Sequence, residues 1–237
     1  MSFEVRTWPA SEFAAGVAET IGESLPTVGT FVLTGGRTAA LVYQQLAHIA
    51  LDWSGVEIFF SDERCVPPTD DNSNYKMVSE KLLAEVEPGE VFRIRGEDPP
   101  DVGAATYNSD LAAVESGFDL MMLGMGAEGH IGALFPGSDV LTSTATATWE
   151  LVGQSAVTTP ILCAAVHRPD GMRGITMTPR ALLMAKKIYI VERGDEKAEA
   201  VAQAVKGHAA AHAVPVRVLA DHPDVTFLID EAAASHL

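Results

Sequence analysis

The chain has 237 residues, 47% of them hydrophobic and 20% charged, enough to bury one sizeable core, and a single globular domain over residues 1–237 is expected. Sixteen basic residues against 32 acidic ones leave a net charge of −16, whose field repels nucleic acid and anionic membrane and confines any anion site to a compact cluster. No apolar run approaches the roughly 18 residues of a membrane span, MSFEVRTWPASEF lacks the apolar core of a signal peptide, and Cys65 and Cys163 lack the spacing of a disulfide framework or a zinc site, so a cytoplasmic setting is expected.

In chain order, helical periodicity over 11–25 precedes a strand pattern at TFVLTG (30–35). Helix 38–51 follows, then strand VEIFFSD (56–62), helices 72–86 and 104–116, and strand FDLMMLG (118–124). The remaining elements are strands ILCAAV (161–166) and KIYIVE (187–192), helix 195–205 and strand VTFLID (225–230). The alternation predicts an α/β fold, a mostly parallel doubly wound sheet with helices on both faces, and the near-continuous apolarity of VEIFF and FDLMML suits strands buried on both sides. The Ser/Thr-rich stretch from Gly137 to Thr148 has no period and is expected to be a long surface loop. Ligands of open α/β sheets bind beyond the carboxyl ends of the strands, so the residues following each strand carry the functional reading.

After TFVL stands Thr34-Gly35-Gly36-Arg37-Thr38, where two glycines turn the chain into a helix beginning near Ala39, whose N-terminal N–H groups suit a phosphate. A plain strand-to-helix turn would read the same way. After VEIFF, Ser61-Asp62-Glu63-Arg64 packs two carboxylates and an arginine at a strand end, and Asp71, Asn72 or Ser73 is placed to cap the next helix. After FDLMML, Gly124, Gly126 and Gly129 have the spacing of a dinucleotide-binding loop. Such a loop opens a long helix, however, and Pro136-Gly137 stops any helix about two turns after Gly129, so no cofactor is expected. His130 follows at once, with Glu128 two residues before it to fix its tautomer and raise its basicity, and an imidazole with an ordinary pKa of about 6.5 suits a general base. A helix-capping histidine without chemistry is the bland alternative. After KIYIVE, Lys197 sits in the first turn of a helix, where a cation is unfavourable unless a bound anion compensates it.

Several stretches together resemble the 6-phosphogluconolactonase family, relatives of glucosamine-6-phosphate deaminase. They are LTGGRTAALVYQQLA, IFFSDERCVPPTDDNSNYKMVSEKLL, FDLMMLGMGAEGHIGALFPGS, ITMTPRALLMAKKIYIVERGDEKAEAV and VTFLIDEAAA, in the family's order over nearly the whole chain. The resemblance implies hydrolysis of 6-phospho-D-glucono-1,5-lactone to 6-phosphogluconate, the second step of the oxidative pentose phosphate pathway. It implies a small phosphorylated sugar lactone as partner, with no nucleic acid, membrane, metal or cofactor, in a monomer or weak dimer. Ester hydrolysis requires an activated water and donors for the oxyanion, and the sequence has no GxSxG elbow, HExxH helix or Walker loop to supply either differently. His130 is therefore the expected base, oriented by Glu128 and Asp62. The resemblance brings Arg64 and Asn74 to the sugar ring or carbonyl. It gathers Gly35, Gly36, Arg37, Thr38 and Lys197 at the phosphate, with Arg168 or Arg173 adding positive charge. Two other readings stay open: an aminosugar-phosphate isomerase or deaminase, whose AFNEP-like carboxylate has no counterpart in Ala133-Leu134-Phe135-Pro136, and a noncatalytic sugar-phosphate-binding protein.

Overall fold

The computed structural model describes residues 3–142, 146–149 and 157–237, with side chains described over 3–142 and 160–237. Among the described residues seven strands form one sheet in which every pairing is parallel. They are β1 (Glu4–Trp8), β2 (Val28–Leu33), β3 (Gly55–Phe60), β5 (Glu90–Val91), β6 (Leu120–Leu123), β11 (Lys187–Glu192) and β12 (Val225–Asp230), in the order β1-β12-β11-β6-β2-β3-β5. Every residue of β6 and β12 is buried. Because neighbouring strand residues point to opposite faces, such burial requires both faces to be covered.

Among the helices, α1 (Phe13–Ser24) packs on α2 (Arg37–Leu46), and α4 (Pro100–Ala112) packs on a second sheet. That second sheet corrects one expectation. ILCAAV supplies β9 (Cys163–His167), which is not a strand of the parallel sheet but the edge of an antiparallel one formed with β10 (Arg173–Met177) and β4 (Asp62–Arg64). A turn from Arg168 to Met172 joins β9 to β10, too short for the crossover that a parallel pair needs. The stretch expected to be a loop from Gly137 onward contains a short 3₁₀ turn at Asp139–Leu141, and Thr146–Trp149 forms β7, paired antiparallel with β8 (Val157–Pro160). Residues 143–145 lie outside the described residues.

The chain runs outward from β2 through β3 to β5, then returns to place β6 on the other side of β2 and continues outward through β11 and β12. Between β2 and β6 the winding reverses, and the crevice beyond their carboxyl ends is where such sheets bind ligands. Two buried tyrosines fix strand ends on this rim. The hydroxyl of Tyr43 on α2 accepts from the Thr34 N–H at 3.0 Å and donates to the Thr34 carbonyl at 2.9 Å. From α4, Tyr107 does the same for Phe60, at 2.7 and 2.9 Å. Each satisfies backbone groups where the ladder stops, and so sets where the Gly35-Gly36 turn and the Asp62 corner begin.

Candidate active site

A cleft of about 490 Å³ opens beyond β2, β6 and β11. Its lining joins the Gly35-Gly36 turn, Asp62 and Arg64, Gly126 and His130, and Lys197, so the separate strand-end motifs meet in one place. Five of the sixteen basic residues line it (Arg37, Arg64, Arg168, Arg193 and Lys197), against three of the 32 acidic ones (Asp62, Glu192 and Glu196). In a chain of net charge −16 that concentration reverses the local sign and suits a compact anion.

At the double glycine, Gly36 has φ of 106°, a left-handed conformation that favours glycine, and α2 starts directly behind it at Arg37, two residues earlier than expected. Arg37 is exposed on the cleft and Thr38 lines it beside the helix N-terminus. Short β4 splits its side chains by the period of two. Asp62 and Arg64 line the cleft, while Glu63 is buried away from it. There the Glu63 carboxylate accepts from the N–H groups of Arg64, Asn74 and Tyr75 at 2.7 to 2.8 Å and from the Ser73 hydroxyl at 2.9 Å. It thus tethers the N-terminus of α3 (Asn74–Val78), capped by Ser73 through Lys76 N–H. Desolvation pushes the Glu63 carboxyl above the usual range, against these four donors. Asn74 lines the cleft, yet its amide is already engaged. It donates to the Asp62 carbonyl at 2.9 Å and side chain at 3.2 Å, and accepts from Arg64.

The glycine-rich loop after β6 presents the histidine. The N–H of Gly126 donates to the His130 carbonyl at 2.8 Å, and a Cβ on Gly126 would collide with the imidazole Nδ1 and the Glu128 carboxylate, so only glycine lets the ring fold back on this loop. Glu128 Oε1 stands 2.9 Å from His130 Nδ1. The exposed Glu128 carboxylate therefore accepts a hydrogen bond from Nδ1–H, which leaves Nε2 as the unprotonated nitrogen of the neutral ring. The imidazole is held below its ordinary pKa first by burial, with Arg168 in the same direction, while Glu128 and then Asp62 oppose the shift. Asp62 acts on the ring only through its field, since its carboxylate is bonded to Ser61 and Asn74. Phe135 backs the ring at 4.5 Å between centroids and also lies under the Arg168 guanidinium at 5.3 Å.

Arg168 and Arg173, either of which was expected to add positive charge, lie in different places. Arg168, in the β9–β10 turn, lines the cleft; Arg173 does not. Arg173 begins β10, bonds the Val166 carbonyl at 3.3 Å and lines a different depression beside Cys65 and Pro67. Lys197 is held by a partner that sequence reasoning passed over. Glu192, the last residue of β11 and almost completely buried, lies 3.1 Å from its ammonium. Burial raises the Glu192 carboxyl to about 7, against Lys197 and the Met125 N–H, which both lower it. Its position at the carboxyl end of a buried strand was the available signal, but KIYIVE read as one uninterrupted strand. Among the described residues no cluster of His, Cys, Asp and Glu could hold a metal ion, and no helix is long and apolar enough to cross a membrane.

This switch-point cleft, where one half-buried imidazole meets a cluster of cations, marks an α/β protein with a compact polar site at the carboxyl ends of its strands. The family model described as glucosamine-6-phosphate isomerases/6-phosphogluconolactonase matches residues 9–227, and the chain belongs to that family. It is 36% identical over 181 residues to a 6-phosphogluconolactonase of Treponema pallidum, covering 72% of this chain and 69% of the relative. A glucosamine-6-phosphate deaminase of Leuconostoc citreum is 32% identical over 232 residues, covering 96% and 97%. Among solved structures, a 6-phosphogluconolactonase from Shewanella baltica superposes with a TM-score of 0.79 at 26% identity, covering 97% of each chain.

Proposed function

We infer that the chain hydrolyses 6-phospho-D-glucono-1,5-lactone to 6-phosphogluconate, the lactonase step of the oxidative pentose phosphate pathway, with His130 as the base. One observation carries the mechanism: the His130 ring lines the same cleft as the cations, with its Nδ1 engaged by Glu128 and Nε2 left free. Nε2 takes a proton from water as the water oxygen bonds to the lactone carbonyl carbon. The carbonyl oxygen becomes an oxyanion, stabilised by the Arg64 guanidinium, which Asn74 holds in place. When the intermediate collapses the bond from C1 to the ring oxygen breaks, and the imidazolium returns its proton to that oxygen. Arg168 supports the charge near the ring, while the Gly35-Gly36 turn, Arg37, Thr38 and Lys197 receive the phosphate. A monomer or weak dimer in the cytoplasm completes the reading, and sedimentation at micromolar concentration tests the assembly.

The test is a coupled assay on freshly generated phosphogluconolactone, corrected for spontaneous opening. Catalysed turnover in the native protein, lost in His130→Ala, is expected. Near-native turnover in a folded His130→Ala protein would refute the histidine mechanism. The deaminase relative makes the aminosugar reading worth the same effort, and ammonia released from glucosamine 6-phosphate by the native protein would favour it.

A further inference from the structure

Glu192 and Lys197 together grip one backbone residue from two sides. One Glu192 oxygen accepts from the Met125 N–H, the other pairs with Lys197 at 3.1 Å, and the Lys197 ammonium donates to the Met125 carbonyl. Met125 directly precedes Gly126, the residue that bonds the His130 carbonyl, so this clamp joins the cationic end of the cleft to the loop carrying the imidazole. Glu192 also stands where sequence reasoning expected an external anion to compensate Lys197.

We propose that Glu192 is a positioning residue that couples phosphate binding to proton uptake: when the phosphate draws the Lys197 ammonium, Glu192 takes a proton from solvent and keeps its bond to Met125. The inference rests on the reading of Lys197 as a phosphate ligand. An ionised carboxylate at this depth, deprived of its cation and facing a phosphate dianion, would be strongly repelled. Protonation removes the repulsion and creates an O–H that can donate to a phosphate oxygen, while the other oxygen still receives the Met125 N–H. Burial already raises the Glu192 carboxyl to about 7, so the step needs little further change. The charged groups that act on it directly are Lys197 and Glu196, in the loop that follows it, while Arg37, Asp62, Arg64, His130, Arg168 and Arg193 line the same cleft. His130, held below its ordinary pKa by burial, can also take up a proton when an anion enters the cleft, and its uptake must be separated from that of Glu192.

The experiment is calorimetric titration of 6-phosphogluconate into the native protein at pH 7.5, in two buffers of unlike ionisation enthalpy, repeated with Glu192→Gln. Gln keeps the acceptor for Met125 but cannot titrate. The native protein is expected to take up a fraction of a proton per ligand beyond whatever Glu192→Gln takes up through His130. Its affinity should fall by up to about tenfold per pH unit above 7, while that of Glu192→Gln changes much less. Absence of proton uptake in the native protein, or equal uptake and parallel affinity curves in the two proteins, overturns the proposal. A Lys197→Met protein distinguishes the layers. If it binds 6-phosphogluconate as tightly as the native protein, the phosphate assignment fails and this inference with it. If its binding is weakened but the native protein shows no linked uptake, this inference alone fails.

Discussion

His130 is poised by opposed influences, and their signs make the site testable. Burial lowers the imidazole pKa and Glu128 raises it, with burial the larger. A base must be unprotonated to act, so the acid limb of kcat/KM is expected below about 6.5. Replacing His130 by Ala should lower kcat by roughly 10²- to 10⁴-fold without unfolding the protein. Glu128→Gln withdraws the influence that favours the imidazolium, so the acid limb should move to still lower pH while kcat falls. A limb that stays in place under pH-resolved kinetics would show that Glu128 does not face the working base. These two residues were legible because their spacing, across one glycine, is local. The choice between Arg168 and Arg173 was not, since it depends on which side of a β-hairpin each occupies. Glu192 was hidden for a related reason: nothing in KIYIVE distinguishes a carboxylate turned into a cleft from one that merely closes a strand.

Short elements hold the site in place, and β4 illustrates how. Three residues, Asp62 to Arg64, send two side chains to the cleft and one into the protein, where the Glu63 carboxylate serves four donors at the start of α3. A Gln at this position has one carbonyl oxygen, so an amide would face donors that the carboxylate now satisfies. Glu63→Gln should therefore cost about 2–4 kcal/mol, which thermal denaturation would register as a drop of several degrees. It should also weaken turnover, because Asn74, displaced with α3, holds Arg64 and Asp62. An unchanged melting temperature would mean that the tether is not structural. The parallel strands were legible from apolar runs alternating with helix-period segments, and five of the six predicted strands lie in the central sheet. The sixth, ILCAAV, was assigned to the wrong sheet because an apolar run records burial and not its partner, and its antiparallel direction comes from the turn at Arg168 to Met172. Edge strand β1, EVRTW, escaped because its charges suit exposure and mask the alternation.

Across the whole molecule, an acidic chain places five of its sixteen basic residues around one crevice, and the Glu192 carboxyl buried among them couples the site to global stability. Its folded pKa of about 7 lies above the ordinary 4.5, so folding favours the protonated form. The stability it contributes is fully present below about 4.5 and is lost as pH rises through 7, an effect of at most about 3 kcal/mol. Glu192→Gln removes this titration while preserving the acceptor for Met125. The remaining carboxylates are common to both proteins, so their contributions cancel to a good approximation when the two are compared at each pH. The unfolding free energy of the variant relative to the native protein should therefore rise between pH 5 and pH 8, whatever constant offset the amide introduces. Urea denaturation at those two pH values measures the change directly. A difference that stays constant would mean that Glu192 is ionised alike in the folded and unfolded chains, and that its pair with Lys197 fully offsets the burial.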